Sequence, residues 1–171
     1  MNAGAYGGEM KDVLADVDLL TPEGEIITLK AEDMDLSYRH SVVFEKDYIV
    51  LEARIRLQSG TEKDIREKMD QLARARKEKQ PLEYPSAGST FKRPEGYYAG
   101  KLIQDAGLKG YTVGGAMVSD KHAGFVVNHG GATAEEVRFL ICQVQKKIRD
   151  QFGVHMEPEV RFLGFEDEVT P

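Results

Sequence analysis

The stretch from Thr133 to Gly153 limits the possible folds more than any other part of this chain. Thr133 is followed three positions on by Glu136, the spacing of a reciprocal cap at a helix start. Val137, Leu140, Ile141, Val144, Ile148 and Phe152 then recur at helical intervals until Gly153, a helix-stopping residue. A helix of this length with one apolar stripe is stable only when that stripe is covered, so the chain must supply a covering layer. Two apolar runs upstream fit that need. Thr112 to Ser119 and Gly124 to Asn128 read as strands joined through Asp120-Lys121-His122-Ala123, which predicts a hairpin. A shorter helix is predicted from Tyr98 to Ala106, stopping at Gly107, and a last strand from Glu159 to Leu163.

The first third of the chain has a different rhythm. Val13 to Leu20 and Glu25 to Leu29 read as strands about the turn Pro22-Glu23-Gly24, and Leu51, Ala53, Ile55 and Leu57 alternate with Glu52, Arg54 and Arg56. After residue 58 the period changes. Thr61 is placed to cap a helix with Asp64 at the third position, and Ile65, Met69, Leu72 and Ala73 fall on one face before Pro81 ends the run. The reading is α+β, with a β-rich piece over 1–58 and a compact α+β domain over 59–171.

Composition sets outer limits. The 171 residues are 41% hydrophobic and 30% charged, as in an ordinary globular protein. A net charge of −6 argues against wholesale nucleic-acid binding, while leaving room for local basic pockets around an anionic ligand. The single cysteine, Cys142, has no internal disulfide partner and falls in the apolar stretch as a buried structural thiol. No apolar run reaches membrane-spanning length or follows a basic start, so a reducing cytoplasm without a membrane partner is expected. His40, His122, His129 and His155 show no metal-ligand spacing, and no metal is expected.

Three islands carry candidate chemistry. Tyr84-Pro85-Ser86-Ala87-Gly88-Ser89-Thr90-Phe91-Lys92-Arg93-Pro94 places Ser89 in a proline-bounded loop beside two cations; on local pattern alone it is a turn residue bonded to its own backbone. Ser37-Tyr38-Arg39-His40-Ser41 offers Arg39, by default a solvated or ion-paired surface arginine. Met156-Glu157-Pro158-Glu159-Val160-Arg161-Phe162 offers Glu159, by default an edge-strand charge facing water. The basic run Arg74, Arg76, Lys77, Lys79 is mixed with acids and reads as a solvated helix face, from which Lys79 stands apart beside Gln80-Pro81. Gly4, Gly7 and Gly8 read by themselves as a flexible terminus, since no strand precedes them as in a dinucleotide fingerprint.

Taken in this order and with these separations, the islands resemble the UDP-N-acetylenolpyruvoylglucosamine reductase (UDP-N-acetylmuramate dehydrogenase) family. The resemblance runs from Asn2 to about Gly164 and covers the family's C-terminal part. With only Phe44-Glu45-Lys46-Asp47-Tyr48 between the arginine motif and the next strand, the chain is similar to the family's shorter form, which lacks a tyrosine-bearing loop over the substrate. The resemblance implies that 1–58 is the last piece of an FAD-binding α+β domain whose N-terminal flavin-binding half is missing here. It implies that 59–171 binds substrate. The implied reaction passes hydride from NADPH to FAD and on to the enolpyruvyl ether of UDP-N-acetylglucosamine enolpyruvate, giving UDP-N-acetylmuramate.

Site roles are implied in the same way. Ser89 matches the proton donor to the carbon alpha to the carboxylate, Arg39 an active-site arginine suited to hold that carboxylate, and Glu159 the catalytic glutamate of E-P-E-V-R-F. Asn2, Ala3, Gly4, Ala5 and Tyr6 resemble a segment lying against the flavin. Lys79, Lys92 and Arg93 are the substrate-phosphate candidates, and Glu157 is the lesser candidate of the two glutamates. Two other classes stay open: a non-catalytic nucleotide-sugar-binding domain, and a structural or interaction domain presenting the basic helix.

Overall fold

The computed structural model describes residues 1–165. The chain divides into two compact units, Met1–Leu72 and Ala73–Pro171, with the dividing point inside a helix; the last six residues of the second unit lie outside the described part.

The first unit opens on a miniature hairpin of β1 (Gly4–Ala5) and β2 (Gly8–Glu9). Its two turn residues, Tyr6 and Gly7, have φ of 52° and 85°, the paired left-handed conformation that joins two strands tightly. Asn2 anchors the hairpin from a buried position: its amide donates to Glu9 at 2.7 Å and its carbonyl oxygen accepts from the Lys11 N–H at 2.9 Å. A three-stranded antiparallel sheet follows in the order β4 (Ile26–Lys30), β3 (Leu14–Leu20), β5 (Ile49–Ile55). Val17 and Leu19 of β3 join Met34 in a small core, next to the four-residue helix α1 (Val42–Glu45) that contributes Val42 and Val43. The other face of the sheet is ionic. Arg54 binds Asp16, Asp18 and Glu52, and the Thr28 hydroxyl donates to Asp18 at 2.6 Å.

The predicted alternation in 51–57 is present but only partly used. Ile49, Val50, Leu51 and Ile55 of β5 are 60%, 50%, 49% and 55% exposed, so the described chain covers them only in part. Helix α2 (Glu62–Lys79) starts after Thr61, whose Oγ accepts from the Asp64 N–H at 3.3 Å, and stops two residues before Pro81 as expected. Its apolar residues are not buried as a stripe: Ile65 and Met69 stay exposed.

The second unit has a four-stranded antiparallel sheet in the order β6 (Ser86–Ser89), β9 (Phe125–Asn128), β8 (Ala116–Val118), β7 (Thr112–Val113), with α3 (Ala99–Asp105) and α4 (Ala134–Phe152). The capped helix forms as the sequence requires. Thr133 Oγ accepts from the Glu136 N–H, the Glu136 carboxylate accepts from the Thr133 N–H, and Gly153 closes the helix with φ 67°. Leu140, Ile141, Val144 and Ile148 are fully buried in one cluster with Leu102, Ile103, Ala116, Val118, Val126 and Met156. Phe152, at the end of the stripe, is 39% exposed.

Three predicted elements differ. The expected strand 112–119 is folded on itself into β7 and β8, because the chain turns at Gly114-Gly115; there the Gly115 N–H donates to Glu136 and a Cβ on Gly115 would lie 2.3 Å from the Gly130 carbonyl oxygen. The Pro-bounded loop before Lys92 is instead an edge strand, β6. The predicted strand 159–163 reduces to a single antiparallel bridge between Phe91 and Pro158, since Pro158 cannot continue a regular ladder.

Candidate active site

Each unit carries part of the predicted site, and each part is described by itself. In the second unit the register around Ser89 is fixed by an irregularity. Ser86 pairs with Val127 and Ser89 with Phe125, so three steps on β6 oppose two on β9, and Gly88 takes up the extra residue at φ 85°. Ser89 ends the strand in an exposed position. Thr90, the next residue, is 2% exposed and pins the backbone: its N–H donates to the Gly124 carbonyl at 2.8 Å, and its hydroxyl accepts from the Val126 N–H at 2.9 Å.

Glu159 reaches the same place from 70 residues away in sequence. Its N–H donates to the Thr90 carbonyl at 2.8 Å, and the Lys92 N–H donates to the Glu157 carbonyl at 2.8 Å. These two bonds flank the Phe91 and Pro158 pair, an arrangement in which neither central residue needs to donate. Proline is therefore tolerated in the ladder. Ser89 and Glu159 thus sit on neighbouring, backbone-bonded segments, a serine hydroxyl and a carboxylate at the end of one sheet. An open hollow of about 350 Å³ is lined by Ser86, Ala87 and Thr90 with Val137, Ile141 and Val160.

The cations have particular partners. The Lys92 ammonium contacts the Glu157 carboxylate, the glutamate the sequence ranked second. Arg93 lies 4.0 Å over the Tyr98 ring, and its Nε donates to the Tyr97 carbonyl at 3.3 Å. Lys79 is exposed at the end of α2, where the Lys121 ammonium donates to the Lys77 carbonyl at 2.9 Å and pairs with Glu83. Lys121 thus acts as a cation at a helix C-terminus and holds the segment bearing Lys79. Neither Lys121 nor Thr90 carries a sequence signal that would have singled it out, because each acts through a partner about 40 residues distant.

In the first unit Arg39 occupies a tight turn in which the His40 N–H donates to the Ser37 carbonyl at 3.2 Å. Its φ of 57° is left-handed, a conformation non-glycine residues avoid and one that clusters at functional positions. The guanidinium lies 4.9 Å from the Tyr38 ring centroid. His40 Nε2 is 3.0 Å from Asp35 and 3.6 Å from Glu45, a grouping invisible as sequence spacing. The amino-terminal nitrogen of Met1 donates to the buried Ser41 hydroxyl at 3.4 Å, which brings the segment beginning at Asn2 next to the arginine turn. Gly4, Ala5 and Tyr6 are exposed, and a Cβ at Gly7 would meet nothing within 4 Å. The glycine-rich hairpin therefore has the open edge that a flat ring system requires for close approach. A concavity of this unit, about 580 Å³ around Asp12–Ala15 and Arg56–Gln58, contains none of the candidate residues.

The sequence model of the UDP-N-acetylenolpyruvoylglucosamine reductase C-terminal domain matches residues 80–163, the region holding Ser89 and Glu159. The chain carries the C-terminal domain of this reductase family. It is 58% identical over all 171 residues to the UDP-N-acetylenolpyruvoylglucosamine reductase of Lachnoclostridium phytofermentans, of which it covers 54%. To the protein of that name from Agathobacter rectalis it is 62% identical over 96% of its own length and 52% of the relative's. The crystal structure of the Thermus caldophilus UDP-N-acetylenolpyruvylglucosamine reductase superposes with a TM-score of 0.78 at 36% identity, covering 93% of this chain and 57% of that one. The chain spans about half the length of the curated relatives it matches. No helix among the described residues is long and apolar enough to cross a membrane.

Proposed function

We propose that this chain forms the substrate side of a cytoplasmic, FAD-dependent and NADPH-linked reductase that converts UDP-N-acetylglucosamine enolpyruvate to UDP-N-acetylmuramate for peptidoglycan. The observation that carries this reading is the adjacency of Ser89 and Glu159 across the 90–92 and 157–159 pair, within the part of the chain matched by the reductase domain. Two half-tasks follow from the chemistry. Reduction of the enolpyruvyl double bond puts hydride on the methylene carbon and pushes an electron pair toward the alpha carbon and its carboxylate. Arg39 meets the growing carboxylate charge with a two-pronged fork of N–H donors. The Ser89 proton then goes to the alpha carbon, a transfer that suits a hydroxyl only in a dry, oriented setting. Glu159 accompanies Ser89, and Arg93, with Lys79, serves the nucleotide phosphates.

When bound, FAD supplies the hydride relay from NADPH. Among the described residues, those that fit it lie along one edge, the exposed Gly4, Ala5 and Tyr6 of the hairpin that Asn2 anchors. Purified by itself, the chain is accordingly expected to be colourless, without flavin absorbance and without NADPH oxidation.

Fusion to the N-terminal part of the Lachnoclostridium phytofermentans relative tests the reading. A yellow hybrid that oxidises NADPH only with the enolpyruvyl substrate supports it. A hybrid that binds UDP-sugar but never turns over favours a non-catalytic nucleotide-sugar-binding domain instead.

A further inference from the structure

We propose that Lys92 and Glu157 form a cross-strand clamp that holds Glu159 beside Ser89, making Lys92 a positioning residue that acts through Glu157 and not a phosphate ligand. The assignment rests on the reductase reading only in taking Ser89 and Glu159 as the residues that need positioning.

The two strands of this pair are secured by different kinds of contact. The segment that follows Ser89 is tied to the sheet by the Thr90 N–H bond to Gly124 and by the Val126 N–H bond to the Thr90 hydroxyl. Among the described residues, the segment 157–159 is joined to it by the backbone bonds from Lys92 and Glu159, with Pro158 between them unable to donate. Its nearest upstream anchor is Met156, whose carbonyl accepts from the buried Gln145 amide at 2.8 Å. Lys92 stands directly opposite Glu157 in this register, and their side chains are in ionic contact. Opposite charges on a facing pair stabilise the local register, and here they do so two residues from Glu159.

The same contact argues against a phosphate role. A phosphate approaching the Lys92 ammonium would have to displace Glu157 or sit beside its negative charge, and like charges at contact distance repel. Arg93, stacked on Tyr98, carries the planar donor fork that suits a phosphate better than an ammonium does.

Amide hydrogen exchange on the labelled 171-residue chain at low salt tests the clamp, with UDP as the binding probe. K92Q and E157Q are each expected to speed exchange at the Glu159 N–H about threefold, the scale of an exposed ion pair. The double variant should be no faster than either single one, the charge-reversed K92E/E157K should return toward wild type, and Leu140 in the core should not change. In the active hybrid, both single variants should lower kcat with KM for the nucleotide sugar unchanged, and the reversed pair should restore it. The proposal is overturned if Glu159 exchange is unmoved by all variants, or if K92Q alone weakens UDP binding while E157Q leaves it intact. A failed reductase reading would show instead as a hybrid without turnover, with the exchange pattern unaffected.

Discussion

The two units of this chain bury their apolar residues to very different degrees. In Ala73–Pro171 the sheet and α4 enclose a cluster of fully buried Leu140, Ile141, Val144 and Ile148, joined by both strands of the central pair. In Met1–Leu72 the corresponding cluster has three buried members, Val17, Leu19 and Met34, and β5 leaves four large apolar side chains about half exposed. The second unit holds the larger buried apolar cluster, and the first combines a smaller one with the ionic sheet face around Arg54. Apolar burial stabilises at roughly 25 cal/mol per Å², so a substitution should be felt strongly in one unit and weakly in the other.

The largest contrast is expected between Ile141→Ala and Leu51→Ala. The first leaves a cavity in the packed core and should cost roughly 2–5 kcal/mol, while the second, at a half-exposed edge-strand position, should stay within about 0.5 kcal/mol. Denaturant unfolding of the two variants measures both. Similar losses at the two sites would erase the distinction between the units.

Gly115→Ala probes the joint that couples α4 to the β7–β8 turn. Its Cβ would fall 2.3 Å from the Gly130 carbonyl oxygen and 2.5 Å from the Ala132 nitrogen, so the loop must shift and the Glu136 carboxylate must release the Gly115 N–H. A loss of about 1–3 kcal/mol is expected, the range for overpacking, together with faster exchange in the first turn of α4. An unchanged helix start would show that the close approach does not fix that turn.

The ionic face of the first unit should respond to acid. Arg54, then Thr28, hold the Asp18 carboxyl at about 2, below its ordinary 3.8. A carboxyl depressed in the folded state adds stability that is fully present above pH 3.8 and is lost as pH falls toward 2. Stability should therefore decline over that interval in wild type and decline less in Asp18→Asn. Because the face is exposed, added salt should blunt the effect. This is the smallest of the expected changes, and its absence would mean the Arg54 cluster is mere surface charge.

The sequence revealed the second unit better than the first for a related reason. Helix α4 was legible from Thr133 to Gly153 because its cap, stripe and stop are all local, and its burial follows from them. The split of 112–119 into two strands was not, since it depends on Glu136 arriving at Gly115 from 21 residues away. The proline after Glu157 obscured the contact of 157–159 with 90–92, although that contact is what sets the segments bearing Ser89 and Glu159 side by side. The residue types of the site could be named from their motifs, but Thr90, Lys121 and the pairing of Lys92 with Glu157 emerged only from the fold.

Stopped-flow flavin absorbance on the hybrid with and without Ser89→Ala tests the central claim most directly. Removal of the hydroxyl should leave reduction of FAD by NADPH intact and slow reoxidation by the enolpyruvyl substrate about a hundredfold or more, the range for loss of a general acid. Equal slowing of both half-reactions, or of neither, would contradict the role given to Ser89 and with it the reading of this site.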